Sequence, residues 1–172
     1  MLTKQTKFII AIVIQLIIIF GIIIFKMAVL TRGTEVLLRI APVDPRDPLR
    51  GDYLTFSYEI SNLDSYLFNY SPVSEGDTVY VPLKQQGKYW TAAFGVQKTK
   101  PIGEEKIFLR GTVSTVYTNR IHIIYGIEDY FIPEGTGQNF TFWNKEVAAK
   151  VSIDKNGNAV LKQIYINDKP WP

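Results

Sequence analysis

From Phe8 to Phe25 the chain reads FIIAIVIQLIIIFGIIIF, eighteen residues without a charge. As an α-helix rising about 1.5 Å per residue, the run spans roughly 27 Å, close to the ~30 Å hydrocarbon thickness of a bilayer. Lys26 can snorkel on its long stem, so Met27 to Leu30 extend the span to about residues 8–30. A cleaved leader has a shorter apolar region, about 7–15 residues, and closes on an Ala-x-Ala site. Lys26-Met27-Ala28-Val29-Leu30 offers no such site, and the sequence has no cysteine to carry a lipid. The run therefore reads as an uncleaved signal anchor, with residues 1–32 forming a short tail and a single-pass transmembrane helix. Residues 33–172 follow as a β-rich domain outside the bilayer. Cationic flanks nearly balance, with Lys4 and Lys7 before the span and Lys26, Arg32 and Arg39 after it. A short tail before one span and a folded domain places that domain on the extracytoplasmic side, against the pull of cationic flanks toward the cytoplasm.

The net charge of +3 and pI near 9.0 do not mark a nucleic-acid binder. Residues 1–32 hold four of the nineteen basic residues and no acid. That leaves fifteen basic against sixteen acidic residues in 33–172, a net charge of −1. The excess belongs to the membrane flanks, where anionic headgroups attract it. No Lys/Arg run or basic–aromatic alternation remains to make a nucleic-acid groove.

Residues 33–172 are enough to bury one core without disulfides. Period-two alternation, rich in β-branched and aromatic residues, predicts strands over Glu35–Ile40, Tyr53–Ile60, Thr78–Leu83, Tyr89–Val96, Lys106–Val116, Arg120–Tyr125, Glu146–Ile153 and Ala159–Ile166. Gln86-Gly87, Thr118-Asn119 and Asp154–Asn158 supply turns, the last through an Asn-Gly pair suited to a tight hairpin. Short helical pieces are expected near Asn62–Phe68 and Asn139–Lys145. The expected fold is mainly β: one amino-terminal transmembrane helix followed by an antiparallel β-barrel or sandwich.

The stretch Gly51-Asp52-Tyr53-Leu54-Thr55-Phe56-Ser57-Tyr58 sets a turn pair ahead of alternating aromatics. Alternation puts Tyr53, Thr55 and Ser57 on one face and Leu54, Phe56 and Tyr58 on the core face, with the Tyr58 hydroxyl at its edge. Gly51 suits a turn, Asp52 can accept local backbone N–H groups, and Pro45 and Pro48 stiffen the approach. Arg46 and Arg50 can pair with Asp44, Asp47 or Asp52. The segment reads either as a rigid, self-satisfied start to a strand or as a recognition loop presenting Arg46, Asp52 and Tyr53. The octapeptide resembles the Gly-Asp-Tyr-x-x-Leu-x-Tyr signature of the GDYXXLXY family, with Phe56 in the Leu position; Asp44–Arg50 resembles the family's approach to it. The resemblance implies a small, membrane-anchored protein of bacterial type. It also implies a multi-span membrane protein as partner, and it brings no established activity.

Tyr130-Phe131-Ile132-Pro133-Glu134-Gly135-Thr136-Gly137 also resembles a stretch of that family. It reads as a shaped connection, with Glu134 as a candidate partner for Arg46 or Arg50 across one joint surface. A likeness to the β domain of type I signal peptidases rests on a Pro-rich loop, a Gly-Asp strand and Phe131–Gly135. Those enzymes need a serine ahead of their Gly-Asp, activated by a desolvated lysine. Ala41 to Arg50 contain no Ser, Thr or Cys, so only an inactive scaffold of related shape remains, as a remote alternative.

Other motifs read as structure. His122, the sole histidine, lies inside a strand pattern and excludes a His-based metal cluster. Asp154-x-Asn156-x-Asn158 begins like a calcium loop but lacks its downstream spacing and reads as a hairpin. Asn139-Phe140-Thr141 fits the glycosylation pattern, which has meaning only in a eukaryotic secretory pathway. Glu104-Glu105 and Glu128-Asp129 read as solvated pairs. With no catalytic set, cofactor or metal site, the sequence points away from an enzyme and toward an interaction or assembly module of a membrane complex, through Asp44, Arg46, Arg50, Gly51, Asp52, Tyr53, Tyr58 and Glu134. The second reading is an envelope ligand-binding domain with an aromatic pocket between Tyr53 and Tyr130–Gly137.

Overall fold

The charge-free run folds into the 29-residue helix α1 (Lys4–Arg32) in the computed structural model, which describes residues 3–41, 53–69, 71–101, 107–131 and 145–171. Thr3 caps its start, the side chain accepting from the Thr6 N–H at 3.2 Å. Isoleucines and phenylalanines are exposed along its length. Among the described residues it is the helix long and apolar enough to cross a membrane. A single residue, Gly33, separates it from strand β1 (Thr34–Ala41).

Eleven further strands follow: β2 (Tyr53–Thr55), β3 (Ser57–Tyr58), β4 (Asn62–Asp64), β5 (Thr78–Gln86), β6 (Tyr89–Ala92), β7 (Phe108–Val116), β8 (Arg120–Ile124), β9 (Asp129–Phe131), β10 (Val147–Ile153), β11 (Ala159–Ile166) and β12 (Lys169–Trp171). One five-stranded sheet runs β12-β11-β10-β1-β3, a second runs β4-β8-β7-β5-β6, and β2 pairs with β9 as a two-stranded ribbon. Every pairing between these strands is antiparallel. Inward residues of both sheets form one apolar cluster, Val36, Leu38, Ala149 and Val151 meeting Val79, Val81, Leu109 and Ile123. The result is a mainly β, nearly closed antiparallel barrel behind one apolar helix.

The sheets are pinned together at both ends. At one end Gly157, in the β10–β11 turn at φ +81°, lays its carbonyl on the Arg110 N–H at 2.9 Å. A Cβ there would meet that nitrogen at 2.9 Å, so both the turn and the contact require glycine. At the other end the Tyr89 hydroxyl donates to Glu146 at 2.6 Å, Lys88 meets Asp168 at 2.7 Å, and the Arg39 guanidinium lies 4.4 Å from the Tyr89 ring centre.

The predicted strands over Glu35–Ile40, Thr78–Leu83, Lys106–Val116, Arg120–Tyr125, Glu146–Ile153 and Ala159–Ile166 fall on β1, β5, β7, β8, β10 and β11, with ends shifted by a few residues. Tyr53–Ile60 is not one strand. Tyr53–Thr55 pairs with β9 and Ser57–Tyr58 with β1, and Glu59–Ser61 then closes a 3₁₀ turn. The chain changes partner at Phe56, whose N–H donates to the Glu128 carbonyl at 2.7 Å. Tyr89–Val96 stops at Ala92, because Gly95 and Val96 turn to donate to the Leu67 carbonyl. The expected helix at Asn62–Phe68 is β4 followed by a 3₁₀ turn over Ser65–Phe68; β8 supplies Asn62–Asp64 with cross-strand partners. Of Asn139–Lys145, residues 139–144 lie outside the described residues, as do Asn139-Phe140-Thr141 and Glu104-Glu105.

The α1–β1 junction is tight. The Val29 carbonyl accepts from the Gly33 N–H at 3.0 Å and from the buried Ser152 hydroxyl at 2.7 Å. Val29 itself is 3% exposed, packed where α1 meets the β10–β11 hairpin. A Cβ on Gly33 would meet the Ser152 hydroxyl, the Val29 carbonyl oxygen at 2.7 Å and the Ile153 carbonyl oxygen at 2.8 Å. Two of these obstacles are backbone. Gly33→Ala is therefore expected to destabilise the domain by about 1–3 kcal/mol through overpacking, measured by urea unfolding in detergent, whereas Gly21→Ala, with open space around it, should leave stability unchanged.

Candidate functional site

The motif's second half is built into the core. Phe56 and Tyr58 are 3% and 0% exposed, while Thr55 is exposed and Ser57 half-buried. The expected alternation holds over these four residues. Phe56 packs beside Tyr130 with ring centres 6.5 Å apart. The Thr55 hydroxyl donates to Asp129 at 2.9 Å. The Tyr58 hydroxyl does not lie at the core edge as expected: it is fully enclosed and donates to the Ile127 carbonyl at 2.6 Å.

A second tyrosine returns the contact. Tyr125, from the segment that Tyr58 grips, donates its hydroxyl to the Ile60 carbonyl at 2.6 Å, two residues past Tyr58. Each phenol thus ties down the backbone beside the other, closing the motif strand onto residues 125–128. Burial pushes both phenols well above the ordinary tyrosine value of 10.0, and the Glu128 charge adds to it, with Asp129 contributing at Tyr58. Glu128 is not solvated. Its carboxylate is half-buried and accepts the Tyr125 N–H at 2.6 Å and the Ile127 N–H at 2.9 Å, capping a turn in which Gly126 takes φ +75°. Asp129, exposed, holds Thr55. Tyr125 carries no signal in the sequence and Glu128 reads there only as half of a solvated pair, since neither stands in the octapeptide and their partners are backbone atoms 65 residues away or within one tight turn.

Of the sequence candidates, Asp44, Arg46, Arg50, Gly51, Asp52 and Glu134 lie outside the described residues. Tyr53 opens β2 and is the register partner of Phe131, the last residue of β9. Since Ala41 pairs with Ser57 and Thr34 with Ile153, that ribbon continues from the end of β1 opposite α1. His122 shares a hydrogen bond of 2.9 Å with Asn62 on the neighbouring strand, a structural role as expected. Asp154 accepts from the Asn156 and Asn158 N–H groups at 2.8 Å each, which makes the expected hairpin. Elsewhere an open groove of about 540 Å³ lies between Pro82, Leu83, Phe94, Gln97, Lys100 and Pro101.

The model of a family described as GDYXXLXY protein matches residues 15–164. The chain belongs to the GDYXXLXY family. No curated protein and no solved structure matches it significantly. Within this family signature, two positions have a plain physical meaning here: the Leu position, filled by Phe56, and the final Tyr58 are core residues that lock the motif strand.

Tyr58→Phe keeps the ring but leaves the buried Ile127 carbonyl without its donor, an expected loss of about 1–3 kcal/mol. The sign of the alkaline effect follows from the raised folded-state values. Below pH 10 both states hold the phenol protons and stability is unaffected. Above it the unfolded chain releases them first, so stability falls, by up to about 1.4 kcal/mol per pH unit for each tyrosine. Denaturant unfolding between pH 7 and 11 should show that Tyr58→Phe, although less stable at neutral pH, has the shallower alkaline slope.

Proposed function

We propose that the chain is a single-pass, membrane-anchored module whose β domain serves interaction or assembly in a membrane complex rather than catalysis. The observation that carries the anchor is the junction: the last turn of α1 is part of the domain, with Val29 buried and its carbonyl bonded to Ser152. Removing α1 as a leader would strip a packed residue and a bonding partner from β10. The apolar surface around the rest of the helix supports lipid as its surroundings. In this reading the domain lies on the extracytoplasmic side.

Two motif hydroxyls and the two residues facing them support the non-catalytic reading, although the Ser57 hydroxyl is buried without a partner among the described residues. The Tyr58, Tyr125 and Thr55 hydroxyls and the Glu128 carboxylate are each engaged in holding backbone or a neighbouring strand. Recognition then falls to the motif's first half and to Glu134, through Asp44, Arg46, Arg50, Gly51, Asp52 and Tyr53. The partner is a multi-span membrane protein. A second reading is an envelope ligand-binding domain; the pocket expected for it between Tyr53 and Tyr130–Gly137 falls largely outside the described residues, and an open groove lies instead beside Phe94 and Lys100.

Crosslinking in native membranes followed by purification in detergent tests the leading reading. Arg46→Ala and Asp52→Ala are expected to reduce recovery of the membrane partner at least tenfold, with unfolding free energies within about 0.5 kcal/mol of the parent. Loss of stability with undiminished partner recovery would instead make the whole octapeptide a structural device.

A further inference from the structure

The junction that fixes the anchor to the domain also fixes which part of the domain meets the bilayer. Phe25 ends the charge-free run, and Val29, four residues on, is already enclosed by the domain, so the span closes short of the expected Leu30. Four helical residues rise about 6 Å. The headgroup layer of one leaflet is roughly 5–8 Å thick, the difference between a ~30 Å hydrocarbon core and a ~40–45 Å bilayer shared between two faces. If α1 spans as proposed above, the edge of the domain packed on Val29 stands at headgroup depth. With one residue of linker, packed against Val29 and Ser152, the domain moves relative to the bilayer only as α1 tilts.

Among the described residues the charge at this end is one-sided. Thr34, two residues after Arg32, pairs with Ile153, and the β10–β11 turn begins at the next residue. Around it stand Arg32 and Lys155, both exposed and without an ion-pair partner among the described residues. Lys100 reaches the same turn, its Nζ donating to Asn156 at 2.7 Å. Lys150 and Lys162 flank Glu35 at 3.5 and 2.7 Å. Among the described residues, two carboxylates stand against these five cations: Glu35, already shared by two lysines, and Asp154, whose oxygens are occupied by three N–H donors of Asn156 and Asn158. At the opposite end acids and bases alternate, Lys88 lying between Glu146 and Asp168, and Arg39 beside Glu59. The domain's net charge of −1 thus conceals a cationic end placed at the membrane.

We propose that this end, centred on Arg32, Lys100 and Lys155, is a lipid-facing surface that binds anionic phospholipid headgroups of the same bilayer that holds α1. Cations at this depth gain from the negative surface potential without leaving water, and the effect decays within a Debye length. The β10–β11 hairpin is pinned to β7 through Gly157, so the cations are presented on a rigid support.

The inference rests on the anchored reading, and one preparation separates the two. The sequence has no cysteine, so Lys155→Cys and, at the far end, Lys169→Cys accept a single fluorophore each. Full-length chain is reconstituted into vesicles of phosphatidylcholine alone or with about 30% phosphatidylglycerol, carrying a headgroup spin label as quencher. The label at position 155 should be quenched at least twofold more strongly with phosphatidylglycerol. Lys100→Glu, or salt raised to about 0.5 M, should remove that difference, while the label at 169 stays unquenched throughout. Circular dichroism confirms that Lys100→Glu remains folded, and the salt arm needs no variant. Protein that floats with the vesicles but shows equal quenching at 155 and 169, or no dependence on lipid charge, overturns the headgroup surface and leaves the anchor standing. Protein that fails to float overturns the anchor and this surface together.

Discussion

A helix that ends on a strand with one residue between them leaves the chain almost no freedom at the junction. The Val29 carbonyl, which a helix end would otherwise surrender to water, is taken by the Gly33 N–H and the Ser152 hydroxyl. Only glycine fits between Val29, Ser152 and Ile153. From this point β1 runs through the first sheet one strand in from its edge, paired with β10 on one side and β3 on the other. Helix direction, sheet direction and the end at which the motif strand joins are consequences of one crowded corner.

The motif strand is fastened at the opposite end of β1 by a different means. Tyr58 and Tyr125 reach across to carbonyls beside one another, and Glu128 satisfies the turn between them. A buried phenol donating to a carbonyl leaves neither group unsatisfied, so the polar atoms specify the pairing of two distant segments without weakening the core. A family signature need not mark chemistry. Phe56 and Tyr58 are legible as packing.

Much of this architecture was legible in the sequence. The length of the apolar helix follows from hydrophobicity alone, and six strands follow from a period-two pattern long enough to outweigh local ambiguity. The failures have particular causes. Tyr53–Ile60 reads as one strand because its alternation is unbroken, yet Phe56 marks a change of partner that periodicity does not record. Asn62–Asp64 and Asp129–Phe131 are three-residue strands, too short to show a period, and exist because β8 and β2 lie beside them. Glu128-Asp129 looks like a solvated pair since adjacent carboxylates usually are; the Gly126 turn bends Glu128 onto its own backbone.

By itself the sequence determined a long apolar helix, a mainly β remainder, a near-neutral domain charge and the alternation that sends Phe56 and Tyr58 inward. These are properties of residue type and local spacing. Tertiary structure decided that Tyr58 has a partner in Tyr125, that Ser152 ends the helix, and that Arg32, Lys100 and Lys155 gather at one end. Each of those joins residues dozens to more than a hundred positions apart, and it is the antiparallel register of the sheets that brings such distant residues together.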